Sequence, residues 1–201
     1  MRKVTYFIAS TLDGFIAGPD GGDPTGPDGF WVTTDDYLRH VVETYPETLP
    51  LPAREALGVT DEGTHFDTVL EGRASYQVGL DAGVPDAYPH LRHLVFSTTL
   101  TSTPAPAVEL VAADPIGRVR ELKQESGKGI WIIGGGGLAS ALYSEIDELI
   151  IKLNPITIGH GVPLFDSDAS FDLAVWERTD CTPLPGGTVF LTYARNERTV
   201  S

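Results

Sequence analysis

Four consecutive glycines, Gly134, Gly135, Gly136 and Gly137, follow the apolar run Ile130-Trp131-Ile132-Ile133 and lead into Leu138-Ala139-Ser140-Ala141-Leu142. The apolar run reads as a buried strand, and Leu138, Ala141 and Leu142 fall on one face of a helix. A glycine turn between strand and helix allows a ligand to approach the backbone closely. The helix start adds unpaired N–H groups and the positive end of a dipole, which suit an anion. Two readings stay open at this point. One is a cradle for the pyrophosphate of a cofactor, and the other is a tight turn in an α/β protein that binds no nucleotide.

The other reactive side chains exclude more than they suggest. The histidines are His40, His65, His90, His93 and His160. His90 and His93 have the spacing of one helix face, yet they adjoin a predicted strand with no cysteine or paired acid near them in sequence. A surface or strand-edge role is expected for them, and no metal. Cys181 falls inside a predicted strand and is expected in the core. No Gly-x-Ser-x-Gly elbow is present. The glycine run is not followed by the Lys-Ser/Thr of a nucleotide triphosphatase loop. The first strand lacks the Gly-x-Gly-x-x-Gly of an ordinary dinucleotide-binding fold. What remains is a site poor in protein nucleophiles, in which a bound cofactor carries the chemistry.

Composition sets further bounds. The 201 residues suffice for one domain, 1–201, with a full core. A formal net charge of -14 argues against nucleic acid or an anionic membrane as partner. A single cysteine forms no internal disulfide, which fits a reducing cytoplasm. The apolar run near the N-terminus, Val4 to Ala9, is too short for a signal peptide or a membrane span.

The elements that must position the glycine turn follow in order. Val4-Thr5-Tyr6-Phe7-Ile8-Ala9 is a β-rich, mostly apolar segment and reads as a central strand, closed by the turn Ser10-Thr11-Leu12-Asp13-Gly14. Phe15-Ile16-Ala17 is a brief apolar return, and Gly18 to Gly29 is a loop. A helix is predicted from Thr33-Thr34-Asp35-Asp36, with Thr33 and Asp36 resembling a capping box. Pro46 to Gly63, with three prolines and little periodicity, reads as a surface excursion able to border a site or meet a partner. Strands are predicted at Phe66–Leu70, His93–Ser97, Val108–Ala112 and Glu148–Leu153. A helix capped by Asp114-Pro115 runs to about Ser126. Two last segments, Asp172–Thr182 and Thr188–Ala194, form a terminal hairpin. Strands alternating with helices and ending in a hairpin mean an α/β sheet, mostly parallel, with an antiparallel edge.

Four pieces stand in one order: Ala9-Ser10-Thr11-Leu12-Asp13-Gly14-Phe15-Ile16-Ala17, Gly72-Arg73-Ala74-Ser75-Tyr76, Val95-Phe96-Ser97 and Ile133-Gly134-Gly135-Gly136-Gly137. With them go Asp147-Glu148-Leu149 and Gly159-His160-Gly161-Val162-Pro163-Leu164-Phe165. This set resembles the dihydrofolate reductase superfamily, and most closely the C-terminal reductase domain of the bifunctional riboflavin-biosynthesis deaminase-reductase. The resemblance spans nearly the whole chain. It implies a dihydrofolate reductase-like three-layer sandwich and hydride transfer from NADPH to a small planar heterocycle, pterin-like or ribosylaminopyrimidine-like.

The resemblance also implies roles. Ala9 and Ile16 would flank the nicotinamide. Gly72, Arg73, Ser75 and Tyr76 would meet the phosphates, and an arginine fork suits a phosphate. Ser97 and Thr98 would lie by the 2′-phosphate or adenine, and Gly134 through Leu138 along the pyrophosphate. Asp35 or Asp36 would hold the place of the carboxylate that assists protonation on the first helix, with helix capping as the other reading. Asp13 is a further acid, with turn chemistry as its other reading. Trp31 would stack on the substrate ring or pack its own loop. A homodimer is implied as well. The chain departs from the family in lacking the deaminase half with its zinc signature. It also lacks the Ser-x-x-Trp-Ile segment, where Gly29-Phe30-Trp31-Val32-Thr33 stands instead. A domain of this fold that binds nucleotide or regulates without turnover is the alternative.

Overall fold

The computed structural model describes residues 1–22, 24–25, 29–31, 33–166 and 172–196. Parts of two predicted segments lie outside them: Asp23 and residues 26–28 of the Gly18–Gly29 loop, and Val32. The described strands are β1 (Val4–Ser10), β2 (Phe15–Ala17), β3 (Phe66–Gly72), β4 (Arg92–Phe96), β5 (Glu109–Val111), β6 (Gly129–Gly134), β7 (Glu148–Leu153), β8 (Val162–Pro163), β9 (Val175–Pro183) and β10 (Val189–Asn196). The described α-helices are α1 (Asp35–Thr44), α2 (Leu51–Leu57), α3 (Arg73–Asp81), α4 (Pro115–Gln124) and α5 (Gly136–Ala141). None is long and apolar enough to cross a membrane.

One sheet runs in the order β5-β4-β3-β6-β1-β7-β10-β9. The strands from β5 to β7 are parallel, and the hairpin β9–β10 adds two antiparallel strands on the β7 side. β2 and β8 make a separate antiparallel ribbon. The expected mostly parallel sheet with an antiparallel terminal hairpin is therefore what forms. β1 owes its central place to its composition. Tyr6 and Phe7 point to opposite faces and both are buried, the pattern of a strand covered on both sides.

Helices cover each face. Val119 and Leu122 of α4, with Ala139 of α5 and Leu142 just beyond it, pack on Val4, Tyr6, Leu70, Leu94, Ile130 and Ile132. On the other face Val41 of α1 packs with Phe7, Phe66, Val69, Trp131, Ile150 and Phe190, and Tyr76 of α3 with Val95 and Val108. Each large side chain buried in this way contributes roughly 1.5–3 kcal/mol. The buried face of α5 is set by Ala139 and Leu142, whereas Ala141, expected on it, is exposed. That helix starts at Gly136, within the glycine run, so its faces are rotated from the expected ones.

Three other expectations need correction. Pro46–Gly63 lies largely at the surface from residue 52 to 62, as expected, but it is not irregular. It forms a 3-10 turn at Pro46–Thr48 followed by α2, with prolines in the first-turn positions they tolerate. Glu47, buried there, accepts the N–H groups of His65 at 2.7 Å and Phe66 at 3.0 Å. Arg54 donates to the carbonyls of Pro46 and Asp61, both at 2.8 Å. These bonds seat the segment at the start of β3, seven residues and roughly 20 Å from Gly72 at its other end. Cys181 is exposed, not in the core, because β9 is the outermost strand. Glu177, Arg178 and Asp180 make that edge polar, a usual protection against edge pairing. The first helix has Thr34, not Thr33, as its N-cap, and the Thr34 side chain makes no capping bond.

Candidate functional site

The two glycine turns meet. β3 and β6 are neighbours in the sheet, and each ends in glycine before a helix. The helices leave on opposite faces: α3 packs beside Val95, and α5 beside Leu70 and Ile132. The winding of the sheet therefore reverses between β3 and β6, and a crevice opens beyond their carboxyl ends. The turns abut there, since a Cβ added to Gly72 would lie 3.3 Å from the Gly134 carbonyl oxygen and 3.4 Å from the Gly135 nitrogen. Gly134 has φ +152°, a conformation side chains rarely adopt. Neither helix has a side-chain N-cap, because the N-caps are Gly72 and Gly135. Beside the turns stand the Ser75 hydroxyl, 3.1 Å from where a Gly134 Cβ would be, and the half-buried Arg73, which no described carboxylate pairs.

Other expected contacts share this rim. Phe96 is in register with Gly72, so Ser97 and Thr98 end the next strand. Thr98 is exposed, while the buried Ser97 Oγ accepts the N–H groups of Leu100 at 3.0 Å and Thr99 at 3.2 Å. Ser97 thus holds its own turn. Ala9 lies one residue before the end of β1 on the other side of β6, and Ile8 packs toward Gly134 at 3.9 Å from its Cβ position. Tyr76 is a correction: its ring is in the core edge-on to His93, 2% exposed, and its hydroxyl has no partner. Trp31 packs on Phe30, with ring centroids 4.9 Å apart, and its backbone N–H donates to the Pro24 carbonyl at 3.0 Å, so its described contacts lie in its own loop.

A second wall is built by segments far apart in sequence. The β2–β8 ribbon pairs Phe15 with Pro163 and Ala17 with Val162. Leu164 donates its N–H to Gly14 at 2.9 Å, and the buried Tyr6 hydroxyl donates to the Leu164 carbonyl at 3.1 Å. Burial pushes that phenol far above its ordinary value, which keeps it a donor. Ile16 is buried in this wall. The ribbon rests on the glycine turn, for a Gly136 Cβ would come within 2.5 Å of the Pro163 oxygen.

The acids hold turns. The exposed Asp13 carboxylate accepts the Thr11 hydroxyl at 2.5 Å and the N–H groups of Gly159 at 2.7 Å and Ile158 at 3.1 Å. The Thr11 bond above all, aided by the two amides, holds it below the usual carboxylate range. Such a group suits an anchor between two loops better than a proton donor. Asp13→Ala is expected to speed amide hydrogen exchange at Ile158 and Gly159 while leaving the core amides of β6 unchanged. Asp36 accepts the Gly186 N–H at 2.7 Å, tying α1 to the terminal hairpin, and Asp35 is an exposed first-turn residue.

Sequence reasoning missed two features. Lys152 stands near the end of β7, opposite Ala9. Its signal was a single charge in the apolar run Ile150-Ile151-Lys152-Leu153. The second is His93, which is buried, not at the surface, with Nε2 2.9 Å from Glu71 and Nδ1 3.0 Å from Asp86. Its acids come from outside its own segment. Among the described residues no group of three His, Cys, Asp or Glu is placed to hold a metal ion.

The family model of the RibD C-terminal domain matches residues 2–190. The uncharacterised protein YwjB of Bacillus subtilis is 30% identical over 166 residues, 82% of this chain and 83% of its own length. Among solved structures, one from Shewanella sp. PV-4 assigned to riboflavin biosynthesis superposes with a TM-score of 0.66 at 22% identity, covering 98% of this chain and 100% of its own. The dihydrofolate reductase of Enterococcus faecalis complexed with NADP(H) superposes with a TM-score of 0.61 at 19% identity, covering 97% of each. The fold is dihydrofolate reductase-like.

Proposed function

The chain belongs to the RibD C-terminal domain family, and from that premise we propose an NADPH-dependent reductase of small planar heterocycles, pterin-like or ribosylaminopyrimidine-like. One observation carries the reading: two helix N-termini without side-chain caps abut where the winding of the sheet reverses, beside an unpaired arginine. That is an anion site with its counter-charge in place. The cradle also has room, because a Cβ on Gly137 would meet nothing within 4 Å.

NADPH would supply the hydride, and the chain's own residues would hold and orient it. Gly134 to Gly137 and Leu138 would follow the pyrophosphate with backbone N–H groups. Gly72, Arg73 and Ser75 would take phosphate oxygens, the guanidinium through paired hydrogen bonds. Ser97 and Thr98 would border the adenosine end. Ala9 and Ile16 would line the nicotinamide and exclude water, and Trp31 would face the substrate ring. A homodimer touching through the terminal hairpin belongs to the same reading, with sedimentation as its check, as does a reducing cytoplasm.

A second reading, a nucleotide-binding domain without turnover, is favoured by the acids. None of Asp13, Asp35 and Asp36 is a buried carboxyl at the strand ends. Titration with NADPH and NADH, followed by tryptophan fluorescence, tests both. Micromolar NADPH binding, tighter than NADH, is expected, with a loss of roughly 10- to 100-fold in Arg73→Ala. Binding of neither nucleotide would sink the reductase. Binding with no NADPH consumption across pterin, pyrimidine and quinone acceptors would favour the second reading.

A further inference from the structure

We propose that Lys152 is a substrate-binding residue and that the site takes a ring presenting oxo groups to it, not amino or amidinium groups. The proposal rests on the reductase reading and names its substrate class.

Lys152 is the penultimate residue of β7, in register with Ala9, the penultimate residue of β1, and with Phe190 of β10. Opposed residues share a face, so Lys152 lies on the face that carries Phe7, Phe190 and α1. It is half-buried, with Nζ 4.4 Å from the centre of the Phe7 ring. The chain has four lysines. Lys3 pairs with Glu148, Lys123 with Asp147, and Lys128 donates to the Gly63 carbonyl. Of the four lysines, Lys152 alone has no oxygen partner among the described residues. An aromatic face offsets part of the cost of holding an ammonium out of water. It leaves the three N–H donors without an acceptor.

The surrounding acids do not supply one. Asp13 is engaged by Thr11, Ile158 and Gly159, Asp36 by Gly186, and Glu148, on the same face, by Thr5 and Lys3. Asp13 and Asp36 stay ionised, but neither is an ion-pair partner of Lys152, so the group beside Ala9 with hydrogen-bonding capacity to spare, where the reductase reading puts the nicotinamide, is the Lys152 ammonium. A cation there attracts carbonyl or enolate oxygens and repels an amidinium. A carboxylate in the same place would select the reverse.

Two bicyclic probes that differ only in their exocyclic groups test this. Protein saturated with NADP+ is titrated with 2,4-dioxopteridine and with 2,4-diaminopteridine, following tryptophan fluorescence. The dioxo compound is expected to bind roughly 10- to 100-fold more tightly. Lys152→Met keeps the apolar stem and should abolish that preference with NADP+ affinity unchanged, while Lys152→Arg keeps part of it. Equal or tighter binding of the diamino compound overturns the proposal, as does a preference that survives in Lys152→Met or binding of neither pteridine. Failure of NADP+ itself to bind is the separate result that removes the reductase reading.

Discussion

Replacing His93 with leucine is expected to cost about 3–5 kcal/mol of folding stability near pH 6, the range for breaking a buried charge pair. In a chain of this length that is a fall in Tm of roughly 6–20 °C. The imidazole is buried between two carboxylates, Glu71 at 2.9 Å and Asp86 at 3.0 Å. Carboxylates only accept, so the geometry calls for a proton on both nitrogens. Burial by itself would lower the pKa of His93, but the bonds to Glu71 and Asp86 outweigh it and the pKa is raised. A raised folded-state value means that the stabilisation is complete below the unfolded value, about 6.5. It is lost as pH climbs through the higher folded value. Urea denaturation of both proteins at pH 6, 7.5 and 9 is the measurement. The gap between them should be widest at pH 6 and should narrow as pH rises. A gap that stays constant would mean that His93 acts through packing alone.

Gly136→Val is expected to damage both folding and cofactor binding. The first side-chain atom would fall 2.5 Å from the Pro163 carbonyl oxygen, a backbone atom with little freedom to move. The β2–β8 ribbon must then lift from the glycine turn, although Ser140 Oγ, accepting the Asp166 N–H at 2.7 Å, holds it to α5. Overpacking of this kind costs about 1–3 kcal/mol. The lifted ribbon should also weaken NADPH binding by at least about tenfold, the equivalent of one lost hydrogen bond to a charged group. Gly137→Ala is the control for folding. Its Cβ has open space and its φ is not positive, so thermal denaturation should be unchanged. Equal Tm values for the valine variant and wild type would refute the contact.

What could be read from sequence was what adjacent residues decide. The strands β1, β6 and β7 announce themselves through apolar runs, and the glycine turn through its composition. What could not be read depends on partners brought from elsewhere. The prolines at 46, 50 and 52 looked like breaks, yet they lie in or just before first turns. Glu47 and Arg54 gave no hint that backbone groups would satisfy them inside the protein. The acids flanking His93 sit in β3 and in the connection before β4. Asp13 finds its amides 145 and 146 residues later. Cys181 shows a further limit, since strand patterning says which residues alternate but not which strand is outermost.

The place of β1 in the sheet also has a consequence in time. Val4 pairs with Ile130, and Ser10 with Leu153. At about 5–20 residues per second, a ribosome finishes β7 roughly 7–30 s after β1 has been made. Until β6 is made, Val4-Thr5-Tyr6-Phe7-Ile8 has both faces largely apolar and both edges open, and the edge that β7 will cover stays open longer, the profile of a segment that aggregates or is held by a chaperone. The wall of the crevice is incomplete until Val162-Pro163 has been made, since that segment pairs with Phe15–Ala17.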